Sequence, residues 1–280
     1  MKPVDSDMLL MPDEIKQHLK PGDVFPQVMA MQGEIFRDVP GRKTIRVQLG
    51  GNSYFIKQHF GVGWGEIFKN LLTLRWPIIS ARTEKNAIQK LDEIGIATTP
   101  LVAFAERGGN PAQQQSFLIT RDLGDIISLE HFCGAWKQNP PEPKFKRKLI
   151  VAVAQIARNL HEHGMNHRDF YLCHLCLEGV AFRNSEIKLY LIDLHRMLIQ
   201  ATTNRRANMK DIAALYFSSM DLGFTARDYL RFKYYYAKDF RAANTSFWQQ
   251  VMRRANKLYR KFHSDKFQKR LRIEKSALEQ

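Results

Sequence analysis

The sequence predicts an α+β fold in two lobes: a small β-rich lobe with one main helix, then a larger, mostly helical lobe. Three observations carry that prediction. Short strand-like runs separated by polar turns fill most of residues 28–123, whereas helical spacing of apolar residues dominates 124–280. His167-Arg168-Asp169 follows directly on a long amphipathic stretch that stops at Gly164. A second acid, Asp193, is delivered by the apolar run Leu191-Ile192 twenty-four residues after Asp169.

His-Arg-Asp opens the protein-kinase catalytic-loop pattern H-R-D-x-x-x-x-N, and five residues after Asp169 this chain has His174 in place of the Asn. Phosphoryl transfer from ATP needs two acids of this kind. One orients or accepts the hydroxyl proton, and the other holds Mg²⁺ on the phosphates. Three polar residues recur by chance, so the bilobal protein-kinase-like reading depends on the flanking chain supplying the remaining parts in order.

The chain has 280 residues, enough for two lobes with their own cores, and its 44% hydrophobic and 25% charged content is that of an ordinary soluble protein. No run approaches the roughly 18 apolar residues of a membrane-spanning helix. The N-terminus, with Asp5, Asp7, Asp13 and Glu14, has no basic-then-apolar export pattern, so cytosolic residence is expected. Cys133, Cys173 and Cys176 are odd in number, which argues against a disulfide framework. The formal charge is +15, and from Arg227 onward there are 15 Lys/Arg against 5 Asp/Glu. Such a bias fits an acidic partner: nucleic acid, an anionic membrane surface or an anionic substrate. A solvated helix face is the simpler alternative.

Residues 1–27 contain Pro3, Pro12, Pro21 and Pro26, with one possible helical turn at 13–19, and read as a mobile or loosely docked lead-in. Strands are expected over 28–36 and 43–49 around the polar turn 37–42, and a third over 53–57 that ends on Lys57. A kinase places its phosphate-binding Lys on that third strand, although a Lys at a strand end is commonly just solvated. Gly61-Val62-Gly63-Trp64-Gly65 follows the Lys strand and lacks a P-loop ending, so it reads as a release into a helix over 66–74. The first hairpin has only Gly33 and Gly41, and therefore no glycine-rich phosphate cover. A helix over 81–94 carries Ala87, Ile88, Leu91 and Ile94 on one face and stops at Gly95. Glu84 in its first turn stands where a kinase keeps the Glu that pairs with the strand Lys. The helix dipole alone also favours an acid there. Two more strands, 100–106 and 116–120, lead into Thr120-Arg121-Asp122-Leu123-Gly124, a candidate hinge for adenine.

In the larger lobe, Ser128 is a candidate N-cap for a short helix, and 145–163 is a long helix with Leu149, Val153, Ile156 and Leu160 on its buried stripe. His161 and His163 at its end read as dipole or capping contacts. Short strands are expected over 175–177, 180–183 and 188–192, with a turn at Asn184-Ser185. A helix over 208–221 puts Asp211 where kinases keep a buried Asp that hydrogen-bonds the catalytic loop; an ordinary acid at a helix N-terminus is the alternative. The rest is helical, with aromatics that read first as core and cations that read as surface. Cys173-His174-Leu175-Cys176 lacks a second Cys pair, which argues against structural zinc.

With these residues in order, the chain resembles the lipopolysaccharide core heptose(I) kinases. The likeness is carried by Asn166-His167-Arg168-Asp169, Tyr171, Cys173-His174, Ile192-Asp193-Leu194-His195-Arg196, Gly63-Trp64-Gly65-Glu66-Ile67, Lys69-Asn70-Leu71-Leu72, and Lys210-Asp211 followed by Ala214-Leu215-Tyr216-Phe217-Ser218. It runs from about Met31 to about Phe240, and departs from the family at Phe170 and Leu175-Cys176. The resemblance implies a kinase-like fold that moves the γ-phosphoryl group of ATP to a heptose hydroxyl of the lipopolysaccharide inner core. It implies work at the cytoplasmic membrane face, with ATP and Mg²⁺. It further implies Asp169 as base within His167-Arg168-Asp169, Lys57 and Glu84 on the phosphates, Thr120 and Asp122 at the nucleotide hinge, Asp193 and His174 on the metal side, and Asp211 supporting the loop. The expected partners are a lipid-linked core acceptor and an anionic membrane surface, with no nucleic acid. Two alternatives stay open: a kinase of another sugar, small-molecule or protein hydroxyl, and a non-catalytic basic adaptor on the same fold.

Overall fold

The computed structural model describes residues 7–8, 11–61, 80–110, 112–183, 186–238 and 246–276. These fall into two compact units. One comprises residues up to Asp125 together with Tyr190–Met197, and the other Ile126–Leu189 with Leu198 onward. The α+β class is as expected. The Asp193 stretch belongs to the first unit.

The first unit is built on a six-stranded sheet of β1 (Asp7–Met8), β2 (Glu34–Val39), β3 (Arg42–Leu49), β4 (Asn52–His59), β5 (Leu101–Arg107) and β6 (Gln115–Arg121), in the spatial order β1-β5-β6-β4-β3-β2. Strand alternation gives the sheet two different faces. Ile45, Val47, Tyr54, Ile56, Phe117 and Ile119 share one core cluster. Residues of the other parity meet on the opposite face, with Arg42 paired to His59, Thr44 to Lys57, Lys57 to Leu118 and His59 to Ser116.

The lead-in differs from expectation. Met11, Ile15, Phe25 and Val28 are buried in the same cluster as the sheet. Ile15 comes from the short helix Asp13–Lys16, Phe25 and Val28 from the short helix Val24–Met29, and Met11 from the chain just before the first; the strand expected from Val28 begins instead at Glu34. The physical reason is that a sheet must have its apolar face covered, and helices this short carry too few turns to show a period. Burying Ile15 and Phe25 contributes roughly 1.5–3 kcal/mol each. Gln58 fixes the join: its Nε2 donates to the carbonyls of Val28 (2.9 Å), Met29 (3.2 Å) and Met31 (3.2 Å), where the second helix runs out.

The helix expected over 81–94 spans Arg82–Glu93 and buries Glu84, Ala87, Ile88 and Leu91. Gly95, at φ +69°, ends it. The helix expected over 66–74 and Val62–Gly65 of the glycine-rich stretch lie outside the described residues, as does the turn at 184–185.

The second unit is organised on the helix Pro143–Glu162, started by Glu142, whose carboxylate accepts from the backbone N–H groups of Lys144 and Phe145 at 2.8 Å each. Around it lie the helices Arg205–Ser219, Ala226–Ala237 and Ser246–Phe262, with Asp265–Ser276 following. Leu175–Glu178 pairs antiparallel with Ile126–Ser128. The expected strand over 180–183 is instead part of a short helix, Gly179–Arg183, and its Val180 and Phe182 are exposed. The apolar residues Val180, Ala181 and Phe182 are too few to separate a strand from a single helical turn. Among the described residues, no helix is long and apolar enough to cross a membrane.

Candidate active site

In the first unit, Lys57 lies on β4, and its Nζ is 2.5 Å from Oε1 of Glu84 in the first turn of the Arg82–Glu93 helix. The Glu84 side chain is 4% exposed and that of Lys57 25%, so the ammonium is the partner that reaches solvent. Asp193 follows the strand Leu189–Leu191, which is anchored to the chain at Thr98 by the bond from Thr98 Oγ1 to the Leu191 carbonyl (2.6 Å). Asp193 has φ +61° and opens the 3₁₀ turn Leu194–Arg196, which packs against the Arg82–Glu93 helix through the buried Leu194. A left-handed, non-glycine residue costs on the order of 1 kcal/mol, and such residues concentrate where function over-determines the backbone. The Asp193 carboxylate is hydrogen-bonded by Nδ1 of His195.

The same sheet face carries two groups that sequence reasoning passed over, Arg42 and His59. Burial pushes the His59 imidazole down to about 3, and the neighbouring charges of Arg42, Lys57 and His195 push the same way, so the ring is neutral. The alternation that put Lys57 on this face could have found both. The hinge residues are spent differently from Lys57. Asp122 accepts from Ser53 Oγ (2.8 Å) and from the Gly124 N–H (2.9 Å), while its own N–H donates to the Ser53 carbonyl (3.0 Å). Thr120 is buried between Phe55 and Leu101 in the sheet. The Asp122 carboxylate thus ties the hinge to Ser53 and Gly124.

In the second unit, Asp211 on the helix Arg205–Ser219 is the centre of the candidate catalytic loop around His167-Arg168-Asp169. Its buried carboxylate accepts from the backbone N–H groups of His167 (2.8 Å) and Arg168 (2.9 Å) and from Asn166 Nδ2 (3.3 Å). Asn166 also donates to Asn208 Oδ1 at 2.8 Å. Arg168, next to the candidate catalytic Asp169, is held at φ +69° and is, like Asp193, left-handed. His174 closes the 3₁₀ turn Leu172–His174, and its Nδ1–H donates to the Asp169 carbonyl at 2.7 Å. Because a carbonyl only accepts, this bond fixes the ring proton on Nδ1 and leaves Nε2 as the basic nitrogen of the neutral ring. His174 stacks on His167 at 5.5 Å.

His161, read as a capping residue, is instead buried, with Nε2 3.3 Å from Asp211 and Nδ1 2.7 Å from the Tyr236 hydroxyl. Burial, with Asp211 and Glu162 nearby, raises the Tyr236 pKa, so its O–H stays protonated and donates to His161. His163 does cap the helix, through Nδ1 and the Asn159 carbonyl at 2.8 Å. Histidines two residues apart at a helix end point in different directions, and the sequence carries no further signal to separate them. Burial raises the thiols of Cys176 to about 11 and Cys133 to about 12, which keeps both protonated and unreactive. Among the described residues, no cluster of three or more His, Cys, Asp or Glu is poised for a metal. Asp193 belongs to the first unit and His174 to the second.

Residues 26–236 match the model of the lipopolysaccharide kinase (Kdo/WaaP) family. The chain is 42% identical over 258 residues to the lipopolysaccharide core heptose(I) kinase WaaP of Pseudomonas aeruginosa, covering 90% of this chain and 96% of that one. It is 46% identical over 211 residues to the protein of the same name from Escherichia coli K12, covering 75% and 80%. Among solved structures, that of WaaP in complex with acyl carrier protein superposes with a TM-score of 0.76 at 36% identity, over 90% of this chain and 99% of that one. With a family model spanning both units and relatives matched over most of their length, this chain belongs to the lipopolysaccharide kinase (Kdo/WaaP) family.

Proposed function

We propose that this chain transfers the γ-phosphoryl group of ATP to a heptose hydroxyl of the lipopolysaccharide core. The observation that carries the reading is the His167-Arg168-Asp169 loop bound through its backbone to Asp211, in a chain 42–46% identical to heptose(I) kinases. In the proposed reaction the heptose oxygen bonds to the γ-phosphorus, the bond from that phosphorus to the β,γ-bridging oxygen breaks, and ADP leaves. Asp169 accepts the hydroxyl proton. Lys57, oriented by Glu84, holds the phosphates. The N–H groups of Arg121 and Asp122 are spent on Pro100 and Ser53, so the adenine edge falls to the Leu123 backbone.

Asp193 offers the hard carboxylate oxygen that Mg²⁺ prefers, and His174 a basic Nε2. When bound, Mg²⁺ supplies charge neutralisation on the phosphates. The bond from His195 aims the Asp193 carboxylate, and the bond to the Asp169 carbonyl aims the His174 ring.

The acceptor is amphiphilic and anionic, which suits an enzyme that works peripherally on the cytoplasmic membrane face and presents a basic surface. A second partner is favoured by one observation. The second unit contains an apolar cavity lined by residues including Leu129, Val153, Ile212, Phe232 and Trp248. Acyl carrier protein is the partner named for the solved relative, and an apolar lining of this kind suits the apolar group that such a protein carries.

The test is turnover with purified core glycolipid against free sugars. Asp169→Asn and Asp193→Asn are each expected to lower glycolipid turnover by about two or more orders of magnitude without shifting the melting temperature. If both variants kept turnover within a few-fold of the parent, the adaptor reading would replace this one. Preference for a free sugar would assign another acceptor.

A further inference from the structure

The hairpin that would carry a glycine-rich phosphate cover is closed by the two residues Pro40 and Gly41, between Val39 and Arg42. Gly41 is at φ +79°, and its carbonyl accepts from the Phe60 N–H at 2.9 Å. Such a tight turn has no run of spare backbone donors to wrap a phosphate. A cation stands directly after it instead. Arg42 begins β3, opposite His59 and diagonal to Lys57 on the same sheet face.

Its guanidinium is in an unbalanced position. It is half-buried, repelled by Arg37, and lies within the fields of Asp193 and Glu84. Yet among the described residues it makes no ion pair or hydrogen bond with either acid, and Glu84 is already engaged by Lys57. A partly desolvated cation without a bonded anion is costly, and a bound anion would relieve it. The neighbouring His59 is 5% exposed, and its Nδ1 has no hydrogen-bond partner among the described residues. Among the described residues, the face therefore holds a guanidinium without an ion-pair partner and an imidazole with an unsatisfied Nδ1 beside the proposed phosphate-binding Lys.

We propose that Arg42 is a second phosphate-binding cation beside Lys57, so that this hairpin grips the nucleotide through a side chain where other kinases use glycine-loop backbone. The proposal rests on the reading of this sheet face as the ATP site. A planar guanidinium can hold two phosphate oxygens at once, which suits the β- and γ-phosphates better than the α-phosphate alone.

The experiment is calorimetric titration of the full chain with ATP, ADP and AMP, for the parent, Arg42→Gln, Arg42→Lys and Lys57→Met, with a thermal melt of each. Arg42→Gln is expected to weaken ATP by at least about tenfold and AMP by less than about twofold, with Arg42→Lys between them for ATP. An Arg42→Gln variant that binds ATP like the parent, while Lys57→Met loses it, overturns the role of Arg42 and leaves the site assignment standing. ATP binding untouched by either variant overturns the site assignment as well. Equal losses for ATP and AMP, with a lowered melting temperature, make Arg42 a structural residue and also overturn the proposal.

Discussion

His59 shows how the first unit keeps a titratable ring neutral beside its cations. Burial comes first among the causes, followed by Arg42, Lys57 and His195, and together they bring it down to about 3. In the unfolded chain a histidine titrates near 6.5. Between those values the unfolded state binds one more proton than the folded state, so stability falls as pH falls, by about 1.4 kcal/mol per unit. The loss starts near pH 6.5 and levels off below about 3. From pH 6.5 to pH 5 it amounts to about 2 kcal/mol. Urea unfolding of the parent and His59→Gln at pH 7 and pH 5 checks this: the parent should lose about 2 kcal/mol more than the variant between the two conditions. Parallel losses would mean that His59 titrates like an exposed imidazole. At this scale the sequence was legible for acids and the strand Lys, because a motif spacing or an element end singles each one out. It was not legible for His59, Arg42 or His161. Their importance comes from cross-strand partners and from Tyr236 and Asp211, which lie far away along the chain.

Elements were legible where a period ran for several turns or where a breaker ended one. The helices now seen as Arg82–Glu93 and Pro143–Glu162 were expected nearly in full. The lead-in helices and Gly179–Arg183 are a turn or two long, and their burial or exposure depends on which surface they meet. Gly164 joins one well-predicted element to the proposed catalytic loop. It sits at φ +68° just after the Pro143–Glu162 helix, and a Cβ there would lie 2.2 Å from the Gln200 carbonyl oxygen. That carbonyl belongs to a backbone already tied to this position, since the Gln200 N–H donates to the Gly164 carbonyl at 3.0 Å. Leu198 and Ile199 pair with Asn166 and Met165, so relief of the clash must move the strand that leads into His167. Gly164→Ala is expected to cost about 2–4 kcal/mol from the left-handed conformation and the overlap together. Turnover should fall along with the melting temperature. A Gly164→Ala protein as stable and active as the parent would show that the loop tolerates displacement of its entry strand.

Across the whole chain, the charge bias is the property that composition revealed most directly, and the structure gives part of it a shape. The helix Ser246–Phe262 buries Trp248, Val251 and Ala255 along one side. Arg253, Arg254, Lys257, Arg260 and Lys261 are all exposed, and helical geometry puts them on the opposite side. The aromatics of this region divide in a related way. Trp248 is buried in a cluster with Phe232, Tyr236 and Phe247, whereas Tyr235 and Phe262 are exposed. Among the described residues of this region Trp248 is the buried ring, most of the other rings are half-buried against it or its neighbours, and the cations of this helix form the surface. A solvated helix face and a docking face have the same composition, so only binding separates them. Each cation near an anionic bilayer contributes about 1 kcal/mol, screened over a Debye length of about 8 Å at physiological salt. Changing the five exposed cations to Gln should therefore lower association with anionic vesicles by at least about tenfold, and leave the weak association with zwitterionic vesicles unchanged. The parent's binding should decline steeply as salt is raised, and the variant's should not. Co-sedimentation with the two vesicle types across a salt series measures both effects. Because these side chains are exposed and lie opposite the buried Trp248, the substitutions should leave the melting temperature unchanged. Turnover on a small, detergent-free acceptor should be unaffected while turnover on membrane-embedded acceptor drops. Equal vesicle binding by parent and variant would identify this helix as a solvated face and send the search for the membrane contact elsewhere on the chain.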